Sequence, residues 1–128
     1  MLYGGAGNDT LSYGAAARRL DGGSGRDTLR IDGNGANLDL SNKFREFELV
    51  DITGTGNNSL TFTRLDVLNL SDTTNQLIVN GNRGDRVTST SQGWAFAGTT
   101  TQDSILYRQY NSGAATLLVD ADITQSLS

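Results

Sequence analysis

Leucine recurs at intervals of nine residues along the first third of the chain. The positions are Leu2, Leu11, Leu20, Leu29 and Leu38, and the residues between them are mostly glycine, small or polar. Such a constant period indicates a repeated coil, in which each turn adds one inward-facing residue to a continuous apolar ladder. The pattern therefore predicts an all-β fold of stacked parallel coils over residues 1–40. We expect Leu2 to belong to an earlier repeat, so that the array has a truncated start.

Short apolar segments continue beyond this array, but their spacing drifts between about eight and twelve residues. The predicted strands are LDL (38–40), ELVDI (48–52), SLTFT (59–63), VLNL (67–70), QLIVN (76–80) and RVTST (86–90). Irregular, calcium-free coils over residues 41–92 would give this spacing, and an antiparallel sandwich of the same strands is the alternative. One short helix is predicted at SNKFREF (41–47), with Ser41 or Asn42 as its N-cap.

Residues 93–128 change in character, because the apolar segments become longer and more aromatic. Trp94, Phe96, Tyr107 and Tyr110 all lie here. The open end of a stack of coils exposes apolar surface and unpaired strand edges, and both need a cover. We therefore predict an antiparallel β cap over residues 93–128. The aromatic residues favour packing in this cap, and a sugar-binding platform is the alternative.

Two nonapeptides in the array carry glycines and an aspartate at matching positions. They read GGAGNDTLS from Gly4 and GGSGRDTLR from Gly22, two repeats apart. Glycine permits tight turns with positive φ, which aim carbonyl oxygens inward, and Asp9 and Asp27 add anionic oxygen. Calcium binds about 6–8 oxygens in flexible geometry. The motifs therefore predict a calcium site, and a pair of Gly-Asp turns in an ordinary β protein is the alternative.

Both nonapeptides fit Gly-Gly-x-Gly-x-Asp-x-U-x, where U is a large apolar residue, and so the chain resembles the RTX (repeats-in-toxin) family of hemolysin-type calcium-binding repeats. The resemblance implies a right-handed parallel β-solenoid, the RTX β-roll, whose turns alternate between two sides. One calcium ion is then expected between the turns at 4–9 and 22–27. Its ligands would be the carbonyl oxygens of Gly5, Gly7, Gly22 and Ser24 and the carboxylates of Asp9 and Asp27.

The turns at 13–18 and 31–36 would share the other side of such a roll. They carry Arg18 and Ala36 where the motif has aspartate. We expect no calcium between them, because a cation there would meet a positive charge and too few oxygens. Arg18 is expected to pair with Asp32 instead.

The order of the sequence segments in the second half, ending in AATLLVDADI, looks like that of the C-terminal region of large RTX adhesins of Gram-negative bacteria. That resemblance implies an extracellular, secreted or cell-surface protein that supports cell adhesion and leaves the cell by type I secretion. The tail LLVDADITQSLS (117–128) would be its uncleaved export signal. The alternatives are a non-catalytic module of a secreted RTX protease or lipase, and a purely structural spacer or cap.

The composition argues against several other classes of function. The net charge is −4, and there is no cysteine, histidine or proline. Disulfides and zinc-thiolate sites are excluded, and the common catalytic bases and nucleophile pairs are missing, so we expect no enzyme activity. The basic residues form no run, which argues against nucleic acid as a partner, and no apolar segment is long enough to span a membrane. We expect a monomer.

One tripeptide invites a further hypothesis. Arg83-Gly84-Asp85 spells RGD, the integrin-recognition sequence, and it lies in a predicted exposed turn. An ordinary Gly-Asp turn explains the same residues, and we favour that interpretation.

Overall fold

The computed structural model describes residues 2–13, 20–31, 37–40, 44–53, 56–70 and 75–128, and this part of the chain is mostly β. The expectation of an all-β protein is confirmed. The strands are β1 (Leu2–Tyr3), β2 (Thr10–Tyr13), β3 (Leu20–Asp21), β4 (Thr28–Ile31), β5 (Asn37–Asp39), β6 (Phe44–Arg45), β7 (Leu49–Asp51), β8 (Ser59–Thr61), β9 (Gln76–Asn80), β10 (Arg86–Ser89), β11 (Ala95–Gln102), β12 (Ile105–Ser112), β13 (Ala115–Asp120) and β14 (Thr124–Leu127). Helix α1 (Arg64–Leu70) lies between β8 and β9.

These strands form three sheets in which most neighbours are parallel. The first sheet has the order β1-β3-β6, and the second has the order β5-β8-β10-β14. The third sheet runs β2-β4-β7-β9-β13 with parallel neighbours and continues through β12 to β11 with antiparallel neighbours. Because β5, β7, β8, β9 and β10 all pair in parallel, the antiparallel sandwich considered for residues 38–92 is wrong.

The leucines that recur every nine residues lie opposite other apolar residues on neighbouring parallel strands. Leu11 lies opposite Leu29, eighteen residues later, and Leu29 lies opposite Val50. Leu20 lies opposite Phe44 in the first sheet. Leu38 departs from this alternation, because it pairs with Leu60 in a separate sheet. Strict alternation between two sides therefore ends after β4, and the chain then visits three sheets.

Two predictions of secondary structure were wrong, a helix at 41–47 and a strand at 67–70. Within 41–47, Phe44–Arg45 is a strand, while 41–43 lie outside the described residues. The segment VLNL (67–70), predicted as a strand, belongs to α1. A capping box begins this helix: Asp66 N–H donates to Thr63 Oγ1 at 3.1 Å, and Thr63 N–H donates to Asp66 Oδ2 at 2.9 Å. These two bonds satisfy backbone donors that a first helical turn leaves unpaired.

The antiparallel pairs lie inside the segment predicted as a cap. β11 pairs with β12 and β12 with β13, but β13 also pairs in parallel with β9. β14 pairs in parallel with β10. The hairpin β11–β12 thus extends one sheet, and β13 and β14 return to parallel pairing with the preceding strands.

The core lies between the sheets and is almost entirely aliphatic and aromatic. Its largest fully buried side chains include Phe47, Leu20, Ile52, Leu70 and Leu117. Gly81 marks how tightly the core is packed, since a Cβ atom there would lie 2.6 Å from Cγ1 of Ile123. Among the described residues, no helix has the length and apolar character needed to cross a membrane.

Candidate metal site

The two glycine-rich turns stack on each other in register. We call residues 4–9 the first turn and residues 22–27 the second turn. Ser24 N–H donates to Gly5 O at 3.0 Å, and Thr28 N–H donates to Asp9 O at 2.8 Å. A parallel bridge joins Ala6 to Ser24. The eighteen-residue spacing of the motifs therefore becomes a direct backbone contact between equivalent positions.

Glycine is required in the second turn by the closeness of the first. Gly23 and Gly25 have φ values of 88° and 114°, which side chains rarely adopt. A Cβ atom on Gly23 would lie 2.1 Å from Gly5 O, and one on Gly25 would lie 2.4 Å from Gly7 O. The carbonyl oxygens of Gly5 and Gly7 therefore face the second turn, as a site between the two turns requires.

A column of carboxylates runs alongside the turns. Asp9, Asp27 and Glu48 each stand immediately before a strand, and those strands, β2, β4 and β7, are neighbours in one sheet. Asp9 N–H donates to Asp27 Oδ1 at 2.8 Å, and Asp27 N–H donates to Glu48 Oε2 at 2.8 Å. We call these three residues the carboxylate column. In both bonds, the carboxylate of the later acid accepts from the backbone N–H of the acid before it in the column.

One oxygen of each aspartate in the column is buried without a hydrogen-bond partner. Asp9 Oδ2 and Asp27 Oδ2 are both inaccessible to solvent, and no donor among the described residues reaches them. The whole Asp27 side chain is buried, with 0% exposed. Burying an unpaired polar group costs free energy, and a carboxylate costs most unless a cation or donor compensates it.

The unpaired oxygen of Asp9 lies beside a carbonyl of the other turn. A Cβ atom on Gly4 would lie 2.6 Å from Gly22 O and 3.0 Å from Asp9 Oδ2. Because Gly4 has no side chain, these two oxygens lie close to each other on the same side of Gly4. Carboxylate and carbonyl oxygens are the ligands that calcium prefers.

Burial raises the pKa of two acids in the column, Asp27 and Glu48. Loss of hydration raises the pKa of Asp27; the Asp9 N–H bond lowers it in part, and the charges of Asp9 and Asp21 raise it further. Loss of hydration also raises the pKa of Glu48, and the charge of Asp27 adds to that effect. Both shifts disfavour the charged forms of these acids, and a bound cation would act in the opposite direction.

The structure brings together most of the residues predicted to hold calcium. Gly5, Gly7 and Gly22 present carbonyl oxygens between the turns, and Asp9 and Asp27 stand next to each other in the column. Ser24 is exposed and joins through its N–H bond to Gly5. Among the described residues, no three acidic, histidine or cysteine side chains converge on one point, so carbonyl oxygens would have to complete a metal site.

The predictions for the opposite side lie outside the described residues, which omit 14–19 and 32–36. The absence of calcium between 13–18 and 31–36, and the pair of Arg18 with Asp32, therefore stay predictions.

Glu48 was not predicted as part of the site from the sequence. It stands twenty-one residues after Asp27 rather than eighteen, and it has no glycine motif before it. A signal was nevertheless present, because Asp9-Thr-Leu, Asp27-Thr-Leu and Glu48-Leu-Val all place an acid two residues before an aligned aliphatic residue.

A similar arrangement recurs on another sheet, where the turn before the acid contains Gly81 and Gly84 but not the full repeat motif. Asp85 stands immediately before β10 and is fully buried. Its Oδ1 accepts from Asn58 N–H at 2.8 Å, and its Oδ2 accepts from Asn82 N–H at 2.7 Å. Both oxygens have donors, so Asp85 is a structural acid rather than a metal ligand. Its burial also withdraws the acid of the RGD tripeptide from the surface.

Two clefts border the site. One, of about 390 Å³, lies against the stacked turns and is lined by Tyr3, Asp21, Gly23, Ser24, Gly25 and Glu46. The other, of about 250 Å³, is lined by Gly25, Arg26, Glu48, Gln76, Ile78 and Gln102. Water therefore has access to the edges of the turns while the aspartate oxygens stay buried.

No known protein family, curated protein or solved structure with which the chain was compared matches it.

Proposed function

We propose that this chain is a calcium-binding, calcium-stabilised module of an extracellular RTX adhesin, which folds after type I secretion. Its fold in this proposal is a right-handed parallel β-solenoid of the β-roll kind, followed by irregular coils and an antiparallel hairpin. The parallel ladders and the stacked glycine turns support that description. No catalytic step is assigned to the module.

The observation that carries the proposal is a pair of carboxylate oxygens at the two turns: Asp9 Oδ2, which is buried without a partner beside Gly22 O, and Asp27 Oδ1, which accepts from Asp9 N–H. Gly5, Gly7, Gly22 and Ser24 would supply carbonyl oxygens beside them. Calcium would contribute the positive charge that makes two adjacent buried carboxylates favourable. Its tolerance of irregular oxygen cages suits a site built from backbone turns, whereas magnesium demands near-octahedral geometry.

Calcium dependence would couple folding to location. Where free calcium is scarce, ionised Asp9, Asp27 and Glu48 repel one another and oppose stacking of the turns. Extracellular calcium modules bind with dissociation constants of roughly 10⁻⁴–10⁻³ M. A ligand that binds only the folded state adds about 2.7 kcal/mol at a hundredfold excess over its dissociation constant. The loose chain could thread a secretion channel and then fold outside.

Calorimetric titration with calcium tests the binding directly. We expect saturable binding to the wild type, with a rise in Tm on adding calcium, and loss of both effects in Asp27→Asn. Asp122→Asn is the matched control, because it removes one exposed carboxylate in a turn. Equal calcium binding by Asp27→Asn and wild type would contradict the proposal.

The export role needs a test that respects the fold. Residues 117–128 include most of β13 and all of β14, and Leu117, Leu118 and Val119 are buried. Deleting the tail would therefore unfold the module as well as remove a signal. A passenger carrying 93–128 at its own C-terminus separates the two effects, since export requires only the segment. Absence of the passenger from the medium of a type I-competent bacterium would remove the export role.

Two alternatives remain within the same class of module. A structural spacer would have the same Tm with calcium and with chelator. A non-catalytic module of a secreted RTX enzyme would behave as proposed here in every calcium experiment, and it differs only in the domain to which it is joined.

A further inference from the structure

The carboxylate column extends one coil beyond the second glycine motif. We propose that a second divalent cation binds between the second turn and the segment 46–48, with Asp27 shared between the two sites. The choice of calcium as its ion rests on the proposed function. The geometry of the site is separate, because it involves Glu46 and Glu48, which belong to no glycine motif.

The segment 46–48 stacks on the second turn as the second turn stacks on the first. Gly4 N–H donates to Asp21 O at 2.8 Å, and Gly22 N–H donates to Arg45 O at 3.0 Å in the same way. Gly22 therefore occupies, toward Glu46, the place that Gly4 occupies toward Gly22. This equivalence survives although three residues separate β6 from β7 and six separate β3 from β4.

The same pair of oxygens is found at both levels. A Cβ atom on Gly22 would lie 2.2 Å from Glu46 O and 2.8 Å from Asp27 Oδ2. Ligand oxygens on opposite sides of one calcium ion lie about 5 Å apart, because each Ca–O distance is roughly 2.3–2.6 Å. Both distances are measured from the same point, so Glu46 O and Asp27 Oδ2 are at most 5.0 Å apart and fit this separation. Because Gly22 has no side chain, there is room beside both oxygens, as there is at Gly4 beside Gly22 O and Asp9 Oδ2.

Asp27 Oδ2 is the atom that most needs a cation. It is fully buried, and no described residue donates to it. Its other oxygen, Oδ1, faces the first turn, where it accepts from Asp9 N–H. The carboxylate therefore presents one oxygen to each side, which is the arrangement of a ligand shared by two ions.

Glu48 supplies a second carboxylate at this level. Its side chain reaches back far enough for Oε2 to accept from Asp27 N–H, and only 8% of the residue is exposed. Glutamate is longer than aspartate by one methylene, which compensates for the shorter turn that precedes it. Two buried acids in contact repel each other unless a cation or a proton lies between them.

The second site should be weaker than the first. The segment 46–48 has no glycine to aim a second carbonyl, and Phe47 turns into the core with 0% exposed. One carbonyl and two carboxylates leave several coordination positions to water. The cleft lined by Glu46, Gly23 and Gly25 admits solvent at this level. Calcium accepts water ligands in such mixed sites.

Calcium titrations of three variants separate the two sites. Wild type is expected to bind two ions, one more tightly than the other. Glu48→Gln keeps the acceptor for Asp27 N–H and should lose the weaker ion alone. Asp9→Asn should lose the tighter ion alone, and Asp27→Asn should lose both. Circular dichroism with each variant checks that the strands persist.

The number of ions bound distinguishes failure of the second site from failure of the proposed function. A wild type that binds one ion, or a Glu48→Gln variant that still binds two, overturns the second site and leaves the proposed function standing. A wild type that binds none overturns the proposed function together with the second site. A loss of one ion in both Glu48→Gln and Asp122→Asn would also overturn the second site, because the effect would then follow net charge.

Discussion

The backbone N–H of Asp27 donates a 2.8 Å hydrogen bond to Oε2 of Glu48, twenty-one residues further along the chain. This bond repeats the one that Asp9 N–H makes to Asp27, although only the earlier pair lies within the repeat motif. A buried acid that precedes each strand thus ties one coil to the next. Such bonds are strong because the acceptor carries charge, but each acid must then lose its hydration.

The raised pKa values of Asp27 and Glu48 predict an unusual dependence of stability on pH. A carboxyl group with a raised pKa in the folded state stabilises the fold below its ordinary pKa, and that contribution is lost as the pH rises through the raised value. The ordinary values are 3.8 and 4.5. In chelator, the free energy of unfolding should therefore fall as the pH rises above these ordinary values.

Chemical denaturation across this pH range checks the prediction, with Glu48→Gln as the matched variant. The difference between wild type and variant should change with pH in chelator, because the variant lacks one titrating group. Arg26 lowers the pKa of Glu48 and Asp27 raises it, so these two charges must stay unchanged. Calcium should abolish or reverse the slope, since it favours the ionised acids. A difference that is constant with pH would contradict the assignment.

Gly23 and Gly5 offer a matched test of turn stacking. Their φ values are 88° and 89°, so alanine at either position carries the same backbone strain, of about 1–2 kcal/mol. Only Gly23 has a neighbour in the way, since its Cβ would lie 2.1 Å from Gly5 O, whereas a Cβ on Gly5 meets nothing within 4 Å. Gly23→Ala should therefore lower Tm and calcium affinity well beyond Gly5→Ala. Equal losses in the two variants would show that the turns do not stack in this way.

Local chemistry made the first coils predictable and left the later ones obscure. The period of nine places Leu11 opposite Leu29, and the glycines place Asp9 beside Asp27, because both signals act within one coil or between equal coils. Glu48 escaped prediction because the chain before β6 is longer than in the preceding repeat, and the shorter turn at 46–48 only partly offsets that length. A longer side chain then restores its position in space, and no local pattern encodes that compensation.

Helix α1 escaped prediction for a different reason. VLNL is too short for its periodicity to separate a strand from a helix, although Val67 and Leu70, the buried pair, have the i, i+3 spacing of one helix face. The deciding signal was Thr63-Arg64-Leu65-Asp66, a capping box that satisfies first-turn donors. Departure from two-sided stacking was likewise invisible, because it depends on Leu38 joining Leu60 rather than following Leu20.

Asp85 should matter for stability rather than for cell attachment. Asp85→Ala leaves the N–H groups of Asn58 and Asn82 without their acceptor, and a buried donor left unpaired costs about 1–3 kcal/mol. We expect a loss of that size, by chemical denaturation, for Asp85→Ala. Arg83→Ala should have little effect, because Arg83 is exposed. Reduced adhesion by Arg83→Ala, with stability unchanged, would favour the RGD hypothesis over this structural role.

The aromatic residues near the hairpin include a buried pair and a cluster around the exposed Phe96, and substitution should separate them. Trp94 is buried, its ring lies edge-on to Phe62 at 6.5 Å, and its Nε1–H donates to Ser89 Oγ at 2.8 Å. Trp94→Ala should cost about 3–5 kcal/mol by denaturation, as expected for removing a buried aromatic side chain. The predicted role in packing applies to this residue.

Phe96 is the matched control, because it is aromatic and 58% exposed. Its contacts are a Tyr110 ring at 5.6 Å and the Arg108 guanidinium at 5.8 Å, both on the same hairpin. Phe96→Ala should cost far less than Trp94→Ala, because little apolar area returns to water that was not already exposed. A loss for Phe96→Ala as large as that for Trp94→Ala would mean that the hairpin depends on this cluster for its pairing, and that packing of Trp94 against Phe62 is not what anchors it.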